Sequence, residues 1–312
     1  MISINYFAHD RPTYYWTITS HYLNKIKKEN KEKIRIHVLA THDHNWQDYI
    51  DGIEIEVLKF PQNNNYLGKV NYALNTGSEY SVKLDEDCFI NNHIWDYLIE
   101  NINFLDSEES FLISPLLSNN IPLVDIFIDN FVKDKEVKNN IYNEYLNPPM
   151  PNGIWGVDYT PIRFNKWERE EFYYNVSQLG TPFKGIHPIR ICAGAQIALN
   201  DYILENFDRI EEKNEYKILP FNRPYFTINT FAIKTEDWIR SNQEARYDAY
   251  DEVPMNVYSK NTGKKMYYIK NSFSIHTLYN TMYGNKNPWG MGIEDGQGYE
   301  YGFTQQILEK IK

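Results

Sequence analysis

The segment Ser81-Val82-Lys83-Leu84-Asp85-Glu86-Asp87 carries the plainest chemical signal in the chain. An apolar strand ends there in three consecutive acids, and ligands of α/β sheets bind outside the carboxyl ends of strands. Hard divalent cations such as Mn²⁺ or Mg²⁺ take carboxylate oxygens and share them with substrate phosphates. A cation held at Asp85 and Asp87 would neutralise a diphosphate leaving group as its bond breaks. A bare D-x-D triplet also arises by chance, and a solvated acidic turn is the competing reading. A second cluster, Thr41-His42-Asp43-His44, stands at another strand end. Its His-x-His pair, with Asp87, would make a water-activating metal site of a hydrolase. That reading needs further ligands; His187 is available, but no second motif joins it.

The elements that position these residues alternate. Ile2, Ile4 and Tyr6 mark a first strand ending near Phe7-Ala8, followed by the loop His9-Asp10-Arg11-Pro12. Tyr15, Ile18, Tyr22, Leu23 and Ile26 recur at helical spacing, which predicts an amphipathic helix from Thr13 to about Glu29. Strands follow at Ile34 to Val38, around Ile53 to Val57 and at Tyr80 to Leu84, with a short helix over Leu67 to Asn75 before the last of them. Strands alternating with helices imply a mostly parallel sheet.

Farther on, His93 to Ile102 reads as helix and Phe111 to Leu117 as a buried strand. From about Asn119 to Arg190 no clean period survives. A helix is expected over Asp201 to Phe207 and a strand at Thr227 to Ile233. Thr235 is expected to cap a helix with Glu236 and Asp237 in its first turn. Asp251-Glu252-Val253-Pro254 opens another, with Gly263 as its stop. Met266 to Ile269 and Phe273 to His276 read as two last strands, and Asn285 to Gly302 as a mobile flap.

Composition bounds the function. A net charge of −10, with no basic stripe beyond the interrupted run Lys25 to Lys33, disfavours nucleic acid as a partner. Two cysteines, Cys88 and Cys192, cannot build a disulfide framework and fit a reducing cytoplasm. Neither a secretory signal nor a run of roughly 20 apolar residues is visible, so the expected protein is soluble, at most peripheral to a membrane. The 26 Tyr, 16 Phe and 7 Trp suit sugar rings and nucleobases, although Tyr-rich packing explains them as well. Trp155, Trp167 and Trp289 are open to the same two readings.

Around the acidic run, Gly68-Lys69-Val70-Asn71-Tyr72-Ala73-Leu74-Asn75-Thr76-Gly77, then Glu79-Tyr80 and Leu84-Asp85-Glu86-Asp87, resemble the nucleotide-sugar half of family-two-like GT-A glycosyltransferases. Phe7-Ala8-His9-Asp10-Arg11-Pro12 is similar to that family's first strand and its Asn-Arg-Pro loop, with Asp10 where Asn is usual. Asp43 stands where the family's second strand ends in an acid near the nucleoside. A second match runs Asp251-Glu252, helix, Gly263, Met266-Tyr267-Tyr268-Ile269, His276, with Glu252 and His276 24 residues apart. Its acidic pair is Asp-Glu where Glu-Asp is commoner. Cys192-Ala193-Gly194-Ala195 and Asn206-Phe207-Asp208 resemble the family's small-residue strand and Gly-Phe-Asp turn.

The resemblance implies a GT-A type α/β fold, a Rossmann-like, mostly parallel mixed sheet flanked by helices, in one catalytic domain spanning 1–312. Residues 1–92 would form the nucleotide-sugar half, 93–284 the acceptor half and 285–312 the C-terminal flap. It implies a nucleotide-diphospho-sugar donor, a glycan or other hydroxyl acceptor, and inversion at the anomeric carbon. Ala8, Asp10, Arg11, Asp43, Lys69, Asn71, Asp85 and Glu86 would contact the donor. Asp87, Asp85 and His276 would hold Mn²⁺ or Mg²⁺, and Glu252 or Asp251 would deprotonate the acceptor. Plainer roles compete: helix capping for the acidic pair, a core position for His276 and an exposed helix position for Lys69. A nucleotidyltransferase would need a Gly-rich loop after the first strand, which His9-Asp10-Arg11-Pro12 is not. A non-catalytic carbohydrate-binding protein would explain the aromatics but not the acids.

Overall fold

Ile2–Ala8 forms the first strand, β1, and all seven of its residues are buried. Residue type alternates along it as expected, yet burial does not, because a strand inside a sheet covered on both faces has no wet side. Ser3 and Asn5 satisfy each other and their neighbour. The Ser3 hydroxyl donates to Asn5 Oδ1 at 3.2 Å, and Asn5 Nδ2 donates to the Val82 carbonyl at 3.4 Å.

The computed structural model describes residues 1–8, 14–30, 32–41, 56–60, 65–118, 123–146, 193–222, 229–244, 252–277 and 296–312. Among them β1 is followed by α1 (Tyr14–Glu29), β2 (Ile34–Ala40), β3 (Glu56–Lys59), α2 (Asn65–Leu74), β4 (Tyr80–Asp85), β5 (Cys88–Ile90) and α3 (Asn92–Glu100). A 3-10 turn (Ile102–Asp106) leads to β6 (Ser110–Leu117), α4 (Leu123–Phe131) and α5 (Lys135–Leu146). Then come α6 (Ala193–Glu205), α7 (Phe207–Glu211), β7 (Lys217–Pro220), β8 (Thr230–Lys234), α8 (Thr235–Glu244), α9 (Glu252–Thr262), β9 (Lys265–His276) and α10 (Gly296–Ile311).

The strands form one mixed sheet, ordered β3-β2-β1-β4-β8-β6-β9-β5, with β7 beside β9. β3, β2, β1 and β4 run parallel. β8 is antiparallel both to β4 and to β6, so β6 shares the direction of the first four. This is the α/β architecture expected, a mostly parallel sheet with helices between its strands.

The chain divides into two compact units. The first comprises Met1–Pro115, Lys213–Phe221 and Ile228–Ser274. In its core lie the fully buried Trp16, Trp95, Trp238 and Phe111, with Trp238 edge-on to Phe231 at 5.3 Å between ring centroids. Asp237 ties α8 to the residues around α9, accepting from Lys264 Nζ at 2.8 Å and from the Tyr258 hydroxyl at 3.1 Å. Gly263 closes α9 with φ +74°, a left-handed geometry that glycine adopts without strain, and its N–H donates to the Ser259 carbonyl at 2.9 Å. The second unit comprises Leu116–Glu212, Asn222–Thr227 and Ile275–Lys312. Within it α5 packs on α6, and the Phe131 carbonyl ending α4 accepts from the Tyr202 hydroxyl at 2.6 Å and from Arg209 at 3.0 Å.

Four expectations are corrected. The stretch after Asn119 holds two helices, α4 and α5; α4 sets Asp125 and Asp129 at i, i+4 within an apolar run, a helical period that sequence reasoning passed over. Ala193–Ala195, expected as a small-residue strand, open the helix α6. The two last strands are one, β9, bent at Asn271 (φ 63°), whose side chain donates to the Glu215 carbonyl at 2.8 Å. Gly296–Gly302, expected within a flap, belong to α10.

Thr235 is the first residue of α8, and its hydroxyl lies 2.8 Å from that of Ser81 on β4. Burial of this kind dominates the energetics. Trp238→Ala is expected to lower the unfolding free energy by about 3–5 kcal/mol in a urea titration, whereas Leu67→Ala, at an exposed position, should change it by less than about 0.5 kcal/mol.

Candidate functional site

The register of the parallel strands brings their carboxyl ends level. Ala8 at the end of β1 pairs with Ala40 at the end of β2, and Phe7 pairs with Asp85 at the end of β4. β8 enters at the same edge, where Leu84 pairs with Thr230 and the Asp85 N–H donates to the Asn229 carbonyl at 3.2 Å. The acidic run therefore begins where three parallel strands stop.

Asp85 does not stand alone. Side chains two apart on a strand share a face, and Lys83 places Nζ 2.8 Å from Asp85 Oδ1. Lys83 is 2% exposed and Asp85 18%. The Lys83 ammonium also lies 5.5 Å from the centre of the Phe7 ring and 5.8 Å from that of Tyr66. A buried ammonium is costly without a counter-charge, so the pair holds Asp85 as a carboxylate and occupies one of its oxygens. Sequence reasoning passed over Lys83; the two-residue spacing within β4 was the signal that could have found it.

The chain then turns through Glu86 and Asp87, both buried. The Tyr6 hydroxyl donates to the Glu86 carbonyl at 3.2 Å. Burial first, and the Glu86 carboxylate second, push the Tyr6 phenol well above its ordinary value. Cys88 opens β5 as a free, buried cysteine, its thiol donating to Asp87 Oδ1 at 4.0 Å. Burial, then the charges of Asp87 and Asp85, hold this thiol well above its ordinary range. Asn91 ends the segment by capping α3, its Oδ1 accepting from the Ile94 N–H at 3.1 Å.

Asp87 and Cys88 lie in the first unit and His276 in the second, and all three are buried. His276 ends β9, and its N–H donates to the Ser118 hydroxyl at 3.2 Å. A carboxylate oxygen and an imidazole nitrogen suit a divalent cation, whereas a thiol ligates only on losing its proton. Sequence reasoning picked out Asp87 and His276 and missed Cys88, which follows Asp87 at the start of β5.

Lys69 differs from the exposed helix lysine considered for it. It is fully buried, and its Nζ donates to the Ala8 carbonyl at 2.6 Å. The Thr41 hydroxyl donates to the same carbonyl at 3.3 Å. Ala8 is thus held from α2 and from the end of β2 at the point where the chain leaves β1. Asn71, two residues beyond Lys69 and about 200° around the helix, is exposed. Glu252 is the first residue of α9, but its side chain lies outside the described residues. Asp10, Arg11, Asp43 and Asp251 lie outside them too, as do His42, His44, His187, Trp155, Trp167 and Trp289.

No family model matches the chain, and no curated protein does. Solved structures are similar to it. One is the galactosyltransferase LgtC in complex with donor and acceptor sugar analogues, at 11% identity and a TM-score of 0.39, covering 99% of this chain and 96% of that one. Another is an active-site mutant of LgtC, at 12% identity and a TM-score of 0.36, covering 86% of this chain and 72% of that one. At such identities and scores, nothing about donor, acceptor or mechanism passes to this chain.

The Lys69 bond gives a direct test of how the edge is held. Lys69→Met keeps the packed stem and removes the donor, and is expected to lower the unfolding free energy by about 1.5–3 kcal/mol, measured by urea denaturation. An unchanged midpoint would show that the Ala8 carbonyl needs no such partner.

Proposed function

We propose that this chain is a metal-dependent glycosyltransferase of the GT-A type, moving a sugar from a nucleotide-diphosphate donor to an acceptor hydroxyl in glycan or surface-polysaccharide synthesis. One observation carries the proposal. The parallel strands end level at an edge where the acidic run begins, with Asp85 closing β4 and the buried Asp87 two residues after it.

In this reading Asp87 and Asp85 would hold Mn²⁺ or Mg²⁺, with His276 the proposed further ligand. The cation would supply charge neutralisation for the departing diphosphate. Lys83 keeps Asp85 ionised and fixes its orientation, so that the edge is preorganised. Lys69 and Thr41 hold the Ala8 carbonyl at the end of β1, so Lys69 acts by fixing that strand end, while Glu86 shapes the turn and Asn71 is exposed on α2. Asp10 and Arg11 are proposed to contact the donor, and Asp43 its nucleoside.

Asp251 or Glu252 is the proposed base that takes the proton of the acceptor hydroxyl. Direct attack by that hydroxyl would invert the anomeric carbon. Residues 1–92 would bind the donor, and 93–284 the acceptor, within a single catalytic domain. The free thiol of Cys88 suits a cytoplasmic setting. Among the described residues, no helix is long and apolar enough to cross a membrane.

A thermal-shift screen of nucleoside diphosphates and nucleotide-sugars, with and without Mn²⁺, tests the proposal. At a ligand concentration of about 100 Kd one nucleotide should stabilise the wild type by about 2.7 kcal/mol, only with the cation present. Asp87→Ala should abolish that shift while leaving the ligand-free unfolding temperature within about 2 °C. Stabilisation by Zn²⁺ alone, with no response to any nucleotide, would overturn the reading.

A further inference from the structure

We infer that His37, Glu56 and Tyr72 form an acid-sensitive pin that holds α2 on the sheet, and that protonation of His37 releases it. The three side chains come from three elements. His37 lies in the middle of β2, Glu56 opens β3 opposite it, and Tyr72 is on α2. His37 Nδ1 is 3.1 Å from Glu56 Oε2, and the Tyr72 hydroxyl is 3.0 Å from that oxygen and 3.2 Å from Nδ1. The Tyr72 ring stands edge-on to the imidazole at 5.4 Å between centroids.

The proton positions follow from donor and acceptor counting. A carboxylate only accepts, so Nδ1 carries the imidazole proton and the phenol donates as well. Burial, then the bond to Glu56, push the Tyr72 phenol up to about 12, which keeps it protonated. With Nδ1 protonated, neutral His37 leaves Nε2 bare, and that nitrogen is buried with no hydrogen-bond partner among the described residues. A second proton there would create a buried N–H donor with nothing to receive it, and the ring would have to turn outward to find water.

The charges around the ring set the direction. Glu56 on β3 attracts a proton, whereas Arg35 on β2 repels it, and Tyr72 on α2 is neutral. On β1 the residue paired with His37 is the uncharged Asn5. Burial outweighs Glu56, and His37 is held below the ordinary histidine value. Such a group stabilises the fold fully above its unfolded-state value, and the stabilisation is lost as pH falls through the folded-state value. A cavity of about 470 Å³ lined by Lys27, Glu32, Ile34, Arg35, His37 and Glu56 lies beside the cluster and gives protons a route to it.

The pin reaches beyond its own contacts. Lys69 and Tyr72 are three residues apart, which places them on one face of α2. The first holds the Ala8 carbonyl and the second holds β2 and β3. Loosening Tyr72 therefore frees the helix that carries Lys69. The device stands whether or not the chain transfers sugars.

Amide hydrogen exchange of the full chain, read by mass spectrometry and corrected for intrinsic rates, tests it. Between about pH 7.5 and about pH 5, which bracket the ordinary histidine value, protection of α2 should fall by about tenfold in the wild type. In His37→Gln, which keeps a neutral hydrogen-bonding side chain, the protection should not depend on pH. Tyr72→Phe should exchange faster already at the higher pH and lose little more on acidification. An equal acid loss in wild type and His37→Gln, or unchanged α2 protection in Tyr72→Phe, would overturn the inference.

Discussion

The rung that pairs Phe7 with Asp85 sets the position of everything downstream of β4. It is the last rung of a parallel ladder that starts at Ile2 and Tyr80, and a slip by one residue would turn Lys83 and Asp85 to the opposite face of the sheet. Because the register is held, Lys83 lies under Phe7, Asp85 reaches the edge, and the turn through Glu86 and Asp87 begins there. The β4–β8 pairing braces the same point from the other side, through the Asp85 N–H and the Asn229 carbonyl.

Charge at this edge is arranged more closely than a net charge of −10 suggests. The two cations most deeply buried in β4 and α2 face it. Lys83 offsets Asp85 as an ion pair, while Lys69 donates to a backbone carbonyl. Neighbouring acids of one run thereby have different environments: Asp85 is partly exposed and paired with an ammonium, and Asp87 is buried beside the Cys88 thiol. A carboxylate already committed to Lys83 is a weaker cation ligand than one facing neutral donors. Burial first, and these negative charges second, raise the Tyr6 and Cys88 groups well above their ordinary values.

Polar side chains also join elements that apolar packing alone would let slide. Asp237 links α8 with Tyr258 and Lys264, Tyr80 donates to Asp106 at 2.8 Å, and Lys234 lies 2.8 Å from the same carboxylate. The Tyr80 and Asp106 contacts bind the start of β4, the end of β8 and the 3-10 turn into one corner of the first unit. These bonds are directional, and apolar burial is not.

The sequence by itself determined the order and type of the strongly patterned elements. β1, α1, β2, α2, β4, α3 and β6 are where residue period and turn residues place them, to within a few positions. It also singled out Asp85, Asp87 and His276, because acids at a strand end and a distant histidine are visible as residue types. It could not reveal the three-residue β5, which is too short to show a period, whereas the helical period of α4 was present and passed over. Only the tertiary structure decided that Lys69 is buried rather than exposed, that Lys83 pairs with Asp85, and that the Cys88 thiol is buried against Asp87. The reason is physical. Local pattern records which face of an element is apolar, whereas the partner of a buried charge is set by strand register and helix docking between residues far apart in the chain.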